Sequence, residues 1–140
     1  MQSASTDGSR ASRHRKELRV RILLVEDSPM NSTFFQAVLE PEGHEVTVEV
    51  TGTAGRERAL TEPFDLIVLD IVLPGLRGDA VCKELKATGL RTPLIALTAS
   101  ALPEQMAVVQ AAGFDECLIK PIAPEDLRSV VRRYAHSGSS

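Results

Sequence analysis

The sequence predicts a single α/β domain, a five-stranded parallel sheet with five helices packed on its two faces. Three observations lead there. Apolar runs, clearest at 66–69, are too short for buried helices and rich in branched side chains, as strands covered on both faces are. Between the strands lie segments with apolar residues at helical spacing. Strand and helix alternate along the chain, which calls for right-handed crossovers between parallel strands. At 140 residues with 43% hydrophobic content, the chain is the size of one domain with a sizeable core.

The elements follow in order. Residues 1–17, rich in Ser and Arg and poor in apolar side chains, are expected to form a disordered tail, with the folded domain at 18–136. The first strand spans 20–25 and ends in Glu26 and Asp27. Ser28 and Pro29 suit a helix start, and Met30, Phe34, Phe35, Val38 and Leu39 form the stripe of a core-facing helix that Pro41 and Gly43 stop. The second strand, 45–50, alternates valine with charged or hydroxyl residues, the pattern of an edge strand. A weak Arg-rich helix covers 52–60, and the third strand ends at Asp70 before Pro74 and Gly75 break regular structure. A helix from about residue 79 to 87 turns Val81, Cys82 and Leu85 inward, and the fourth strand covers 92–98. The helix at 103–112 carries only a thin apolar stripe, Met106 and Val109 among alanines. The fifth strand, 116–120, runs into Pro121; Pro124 then opens a last helix with Leu127, Val130, Val131 and Tyr134 inward, and 137–140 is expected to fray.

Charge and cysteine usage exclude several classes. Residues 1–21 hold six basic and two acidic groups, net +4, whereas the remainder holds ten against seventeen, net −7. The acidic body would repel nucleic acid. Cys82 and Cys117 lie far apart, as in a reducing compartment, and neither a membrane-spanning run nor a signal peptide is visible, so the chain is expected in the cytoplasm.

In an open parallel sheet the strands point one way, so residues at their ends gather on one edge, where ligands bind. Here those residues are Glu26, Asp27, Asp70, Thr98 and Lys120. Three neighbouring carboxylates repel one another unless a divalent cation joins them, and a few carboxylates completed by water and a carbonyl suit Mg²⁺. Lys120 offers a point charge to an anion and Thr98 a hydroxyl donor. That set fits phosphoryl transfer to a carboxylate. Singly, each residue reads more simply as a surface charge or a helix cap.

Ile22-Leu23-Leu24-Val25-Glu26-Asp27, Leu69-Asp70-Ile71-Val72-Leu73-Pro74-Gly75, Leu97-Thr98-Ala99 and Ile119-Lys120-Pro121-Ile122 resemble the four signature blocks of the response regulator receiver domain of two-component systems, over roughly residues 19–134. The resemblance implies a flavodoxin-like sheet in the order 2-1-3-4-5. It further implies Asp70 as phosphoacceptor; Asp27, Asp70 and the Val72 carbonyl as direct Mg²⁺ ligands, with Glu26 acting through water; Thr98 as the switch hydroxyl; and Lys120 as the phosphate-pairing lysine. A histidine kinase or histidine phosphotransfer protein would be the donor, and a downstream protein target would read the phosphorylated state. The position three before the lysine, where the family carries a switch aromatic, holds Cys117.

Only 20 residues follow Lys120, too few for a DNA-binding output domain. The readings are therefore a free-standing phosphorylation switch, a receiver from a hybrid histidine kinase, or a constitutive scaffold. A Mg²⁺-dependent phosphatase with a D-x-D nucleophile lacks its second acid, since Val72 stands there. The switch is expected to catalyse only its own phosphotransfer and slow dephosphorylation, without turning over an external substrate.

Overall fold

The computed structural model describes residues 19–139, so the proposed disordered tail lies outside them. Five strands, β1 (Arg21–Val25), β2 (Glu45–Glu49), β3 (Leu66–Asp70), β4 (Leu94–Thr98) and β5 (Glu116–Ile119), form one parallel sheet in the order β2-β1-β3-β4-β5. This is the order implied by the sequence resemblance. The valine alternation of β2 does mark an edge. The helices are α1 (Pro29–Leu39), α2 (Gly52–Thr61), α3 (Gly78–Ala87), α4 (Pro103–Ala112) and α5 (Pro124–Ser139).

The strand period of two divides the core between the faces. Ile22 and Leu24 of β1, with Leu66, Val68, Ile95 and Leu97, pack under Phe35 and Leu39 of α1 and Leu127, Val130 and Val131 of α5. Leu23 and Val25, with Ile67, Leu69 and Leu94, point the other way, toward Ala59, Val81, Cys82, Leu85 and Ala112 of α2, α3 and α4. Every residue of β3 and β4 is buried, as their unbroken apolar runs require. Full burial of each such side chain stabilises the fold by about 1.5–3 kcal/mol.

Two expectations need correction. Met30 belongs to the predicted stripe, yet it is 81% exposed; the core face of α1 starts later, with Phe35 buried and Phe34 packed against the core beside it. β4 begins at Leu94, after Pro93, which has no N–H for a ladder.

Two glycines set the approach of helices to the third strand and its loop. A Cβ on Gly52 would lie 1.7 Å from the Leu76 carbonyl oxygen, and one on Gly78 would lie 2.0 Å from the carbonyl oxygen of Asp70. The α3 start is therefore pressed directly against the end of β3.

His44 is buried beside β1, where its Nδ1 accepts the Val20 N–H at 3.1 Å. Its Nε2 lies 4.0 Å from Glu42, which also pairs with Arg128 and Arg132 of α5. Burial lowers the His44 pKa, with Arg132 acting in the same direction and Glu42 against it. The unfolded chain thus takes up a proton near pH 6.5 that the folded protein refuses. Stability from this site is complete above that pH and is lost as pH falls toward the depressed folded value. Urea unfolding should show wild type gaining stability over His44→Gln between pH 5 and 7; parallel profiles would contradict this.

Candidate functional site

Every candidate carboxylate sits at a C-terminal strand end. Glu26 and Asp27 follow β1, where the Glu26 N–H is tied to the Glu49 carbonyl of β2 at 2.9 Å. Asp70 is the last residue of β3 and is 5% exposed, while Glu26 is 1% exposed and Asp27 lies open to solvent. One oxygen from each of these acids lies within 4.8 Å of the others. Buried and open acids on a shared centre suit a hydrated divalent cation, so the donor set fits Mg²⁺.

Lys120, the residue after β5, closes the cluster. Its backbone N–H donates to the Thr98 carbonyl at 2.8 Å, and the Lys120–Pro121 peptide is cis. Its Nζ donates to Asp70 Oδ2 and pairs with Glu26 Oε1 at 3.1 Å. Burial opposes the ammonium charge, but the hydrogen bonds to Asp70 and Glu26 outweigh it and hold the Lys120 pKa above its ordinary value. Glu26 moves up too. Burial is the main cause, and the neighbouring Asp70 adds to it, against the Ser28 N–H and Lys120.

The two carboxylates are further oriented by local structure. The Val72 N–H donates to Asp70 Oδ1 at 3.0 Å, so the loop after β3 folds back on its own acid. Glu26 Oε2 accepts the Ser28 N–H at 3.1 Å, and Glu26 Oε1 accepts from Asn31 Nδ2 at 3.2 Å. Asn31 escaped the sequence reading. Its only signal was a short amide in the first turn after the acid pair, a place from which a side chain can reach back. Asn31 also lines a cleft of about 240 Å³ with Met30, Phe34, Lys120 and Ile122, which explains the exposure of Met30 at its rim.

Of the expected residues, Glu26, Asp27, Asp70 and Lys120 therefore come together, while Val72 meets Asp70 through its N–H. Thr98 is 4% exposed, but its hydroxyl is engaged with Ser100. Cys117 sits opposite Ala96 and packs at the edge of a small cluster of Ile71, Ala96 and Val109, as a small strand residue would. Its thiol pKa is raised by burial and by Glu116. Cys82 is fully buried, with its pKa pushed up to about 11 by burial, and its Sγ lies 3.3 Å from the Ala112 carbonyl. It is a core residue, as its helical position suggested.

Residues 22–132 match the model of the response regulator receiver domain. The chain is 38% identical over 120 residues to the hybrid signal transduction histidine kinase G of Dictyostelium discoideum, covering 82% of this chain and 4% of the relative. It is 33% identical over 112 residues to the response regulator ArlR of Staphylococcus saprophyticus, covering 80% of this chain and 50% of the relative. This sequence thus spans half or less of the length of these curated relatives. Among solved structures, the receiver domain of the sensor histidine kinase PA1611 from Pseudomonas aeruginosa, with magnesium coordinated in its active-site cleft, superposes with a TM-score of 0.78 at 35% identity, covering 84% of this chain and 98% of that one.

Proposed function

The chain belongs to the response regulator receiver family of two-component systems, a family of signalling modules, and from that premise we propose that Asp70 is its phosphoacceptor. The observation that carries this is a buried carboxylate at the end of the central strand, flanked by two acids and capped by one lysine. A carboxylate oxygen of Asp70 attacks phosphorus in line. The bond from phosphorus to the donor's imidazole nitrogen breaks, and its electron pair returns to that nitrogen. Asp27, Asp70 and the Val72 carbonyl would hold Mg²⁺ directly and Glu26 through water; the ion would supply charge neutralisation at the phosphoryl oxygens.

The protein's own groups do the rest. Lys120 gives up its pairing with Asp70 and Glu26 to a phosphoryl oxygen, while Asn31 and the Ser28 N–H keep Glu26 aimed at the site. Thr98 donates its hydroxyl to a second oxygen. The partly apolar cleft beside Lys120 offers a donor protein a surface to dock on. A histidine kinase or histidine phosphotransfer protein is the proposed donor, and output is by contact with a downstream protein. No external phosphoester is turned over. Among the described residues no helix is long and apolar enough to cross a membrane.

Incubation with a small acyl phosphate and Mg²⁺ should phosphorylate the protein, and a chelator or Asp27→Ala should slow this by roughly a hundredfold. Unchanged transfer in excess chelator would overturn the metal assignment.

A further inference from the structure

The start of α2 is fastened on two sides, to the strand that leads into Glu26 and Asp27 and to the loop that carries Val72. On the first side, the Glu49 carbonyl at the end of β2 accepts the Glu26 N–H at 2.9 Å, and a Cβ on Gly55 would lie 2.5 Å from the Val25 side chain. On the second, the Gly52 N–H donates to the Pro74 carbonyl at 3.2 Å, and a Cβ on Gly52 would lie 1.7 Å from the Leu76 carbonyl oxygen. Thr51 caps the helix between them, its hydroxyl oxygen accepting the Ala54 N–H at 3.1 Å. The loop is closed at its base, where the Gly78 N–H donates to the Ile71 carbonyl at 3.0 Å, and its far side rests on Gly52.

We propose that Gly52 is a positioning residue for the metal site, setting the spacing between the Val72 carbonyl and the acids that follow β1. The inference rests on the Mg²⁺ ligands assigned above. Gly52 supplies no ligand; it acts by lacking a side chain, so that the turn from Glu49 to Gly52 bridges both ligand-bearing loops. A Cβ there meets a main-chain oxygen that no rotamer change can move, so either α2 or the loop must shift. Gly55 holds α2 close against Val25, and the loop is the part that gives way. Mg²⁺ demands a near-ideal octahedron and is penalised by such a shift, whereas Ca²⁺ accepts longer bonds and irregular geometry. The signature of the clamp is therefore a change of ion preference, which a general loss of stability would not produce.

The test is a pair of NMR measurements. Titrations followed by the amide signals of Asp27 and Val72 should show Gly52→Ala binding Mg²⁺ about tenfold more weakly, the scale for disturbing a group behind a ligand, with Ca²⁺ affinity changed by less than about twofold. Gly89→Ala, at a φ of +85° with nothing within 4 Å of an added Cβ, should bind both ions as wild type does. In the wild type, hydrogen exchange at the Gly52 amide should slow about fivefold in Mg²⁺ at about ten times its Kd, since opening the bond to Pro74 weakens binding by that same tenfold. This second measurement needs no variant to fold. Equal losses for the two ions in Gly52→Ala, or Mg²⁺ bound by wild type with unchanged exchange at Gly52, would overturn the clamp and leave the ligand assignment standing. Absence of Mg²⁺ binding to the wild type would overturn both.

Discussion

In the Lys120→Met variant, phosphoryl acceptance should fall by roughly 100- to 1000-fold, the scale for removing one donor from a developing oxyanion. Methionine keeps much of the aliphatic stem, so the loss reports the ammonium group. The same change should make folding depend on divalent cation. Glu26 and Asp70 are both buried, and Lys120 is the cation that pairs with each of them. Removing one partner of a fully buried pair costs roughly 3–5 kcal/mol, and with 26% of the lysine side chain exposed a cost of about 2 kcal/mol is expected.

The pH dependence has a definite sign. Glu26 already has a raised folded pKa through burial, so its contribution is most favourable below the ordinary carboxylate value and is lost as pH rises through the folded one. Without Lys120 that decline should steepen in chelator, and saturating Mg²⁺ should reverse it by mass action. Urea unfolding from pH 5 to 8, with and without Mg²⁺, reads both effects. A variant that transfers at the wild-type rate, or unfolds identically with and without metal, would contradict the role given to Lys120.

Gly78→Ala should destabilise the protein by roughly 3 kcal/mol and slow phosphoryl transfer by about a hundredfold. The added Cβ would stand 2.0 Å from the Asp70 carbonyl oxygen and 2.8 Å from its carbon, both main-chain atoms that no rotamer change can move. Either α3 lifts off β3 or the end of β3 shifts, and a misplacement of about 1 Å at a reacting group is enough for the kinetic loss. Gly43→Ala is the control. Gly43 has a φ of +94°, with nothing within 4 Å of an added Cβ, so that substitution costs about 1 kcal/mol of backbone strain and leaves transfer unchanged. Equal transfer rates in wild type and Gly78→Ala would show that the close approach does not position Asp70.

The contrast between Asp70 and Asn31 shows what a sequence can carry. Asp70 was legible because a buried strand, a terminal acid and a Pro-Gly break are all local patterns. Lys120 before Pro121 was legible for the same reason. The strand order was not, since periodicity marks strands without saying which are neighbours, and only the four resembling blocks supplied it. Asn31 and Gly78 act through contacts that exist only once the chain is folded: an amide reaching back to Glu26, and a missing Cβ against the Asp70 carbonyl. Met30 failed as a core residue because helical spacing fixes a face but not how far along the helix that face is covered.

The assignment of Asp70 is tested most directly by locating the phosphoryl group. The protein would be phosphorylated with a small acyl phosphate and Mg²⁺, trapped by borohydride reduction of the acyl phosphate to homoserine, digested, and sequenced by mass spectrometry. Conversion at position 70 alone, and none in Asp70→Asn under the same conditions, is the result expected. Conversion at Asp27 or Glu26 in the wild type, or full labelling of the Asp70→Asn variant, would contradict the assignment.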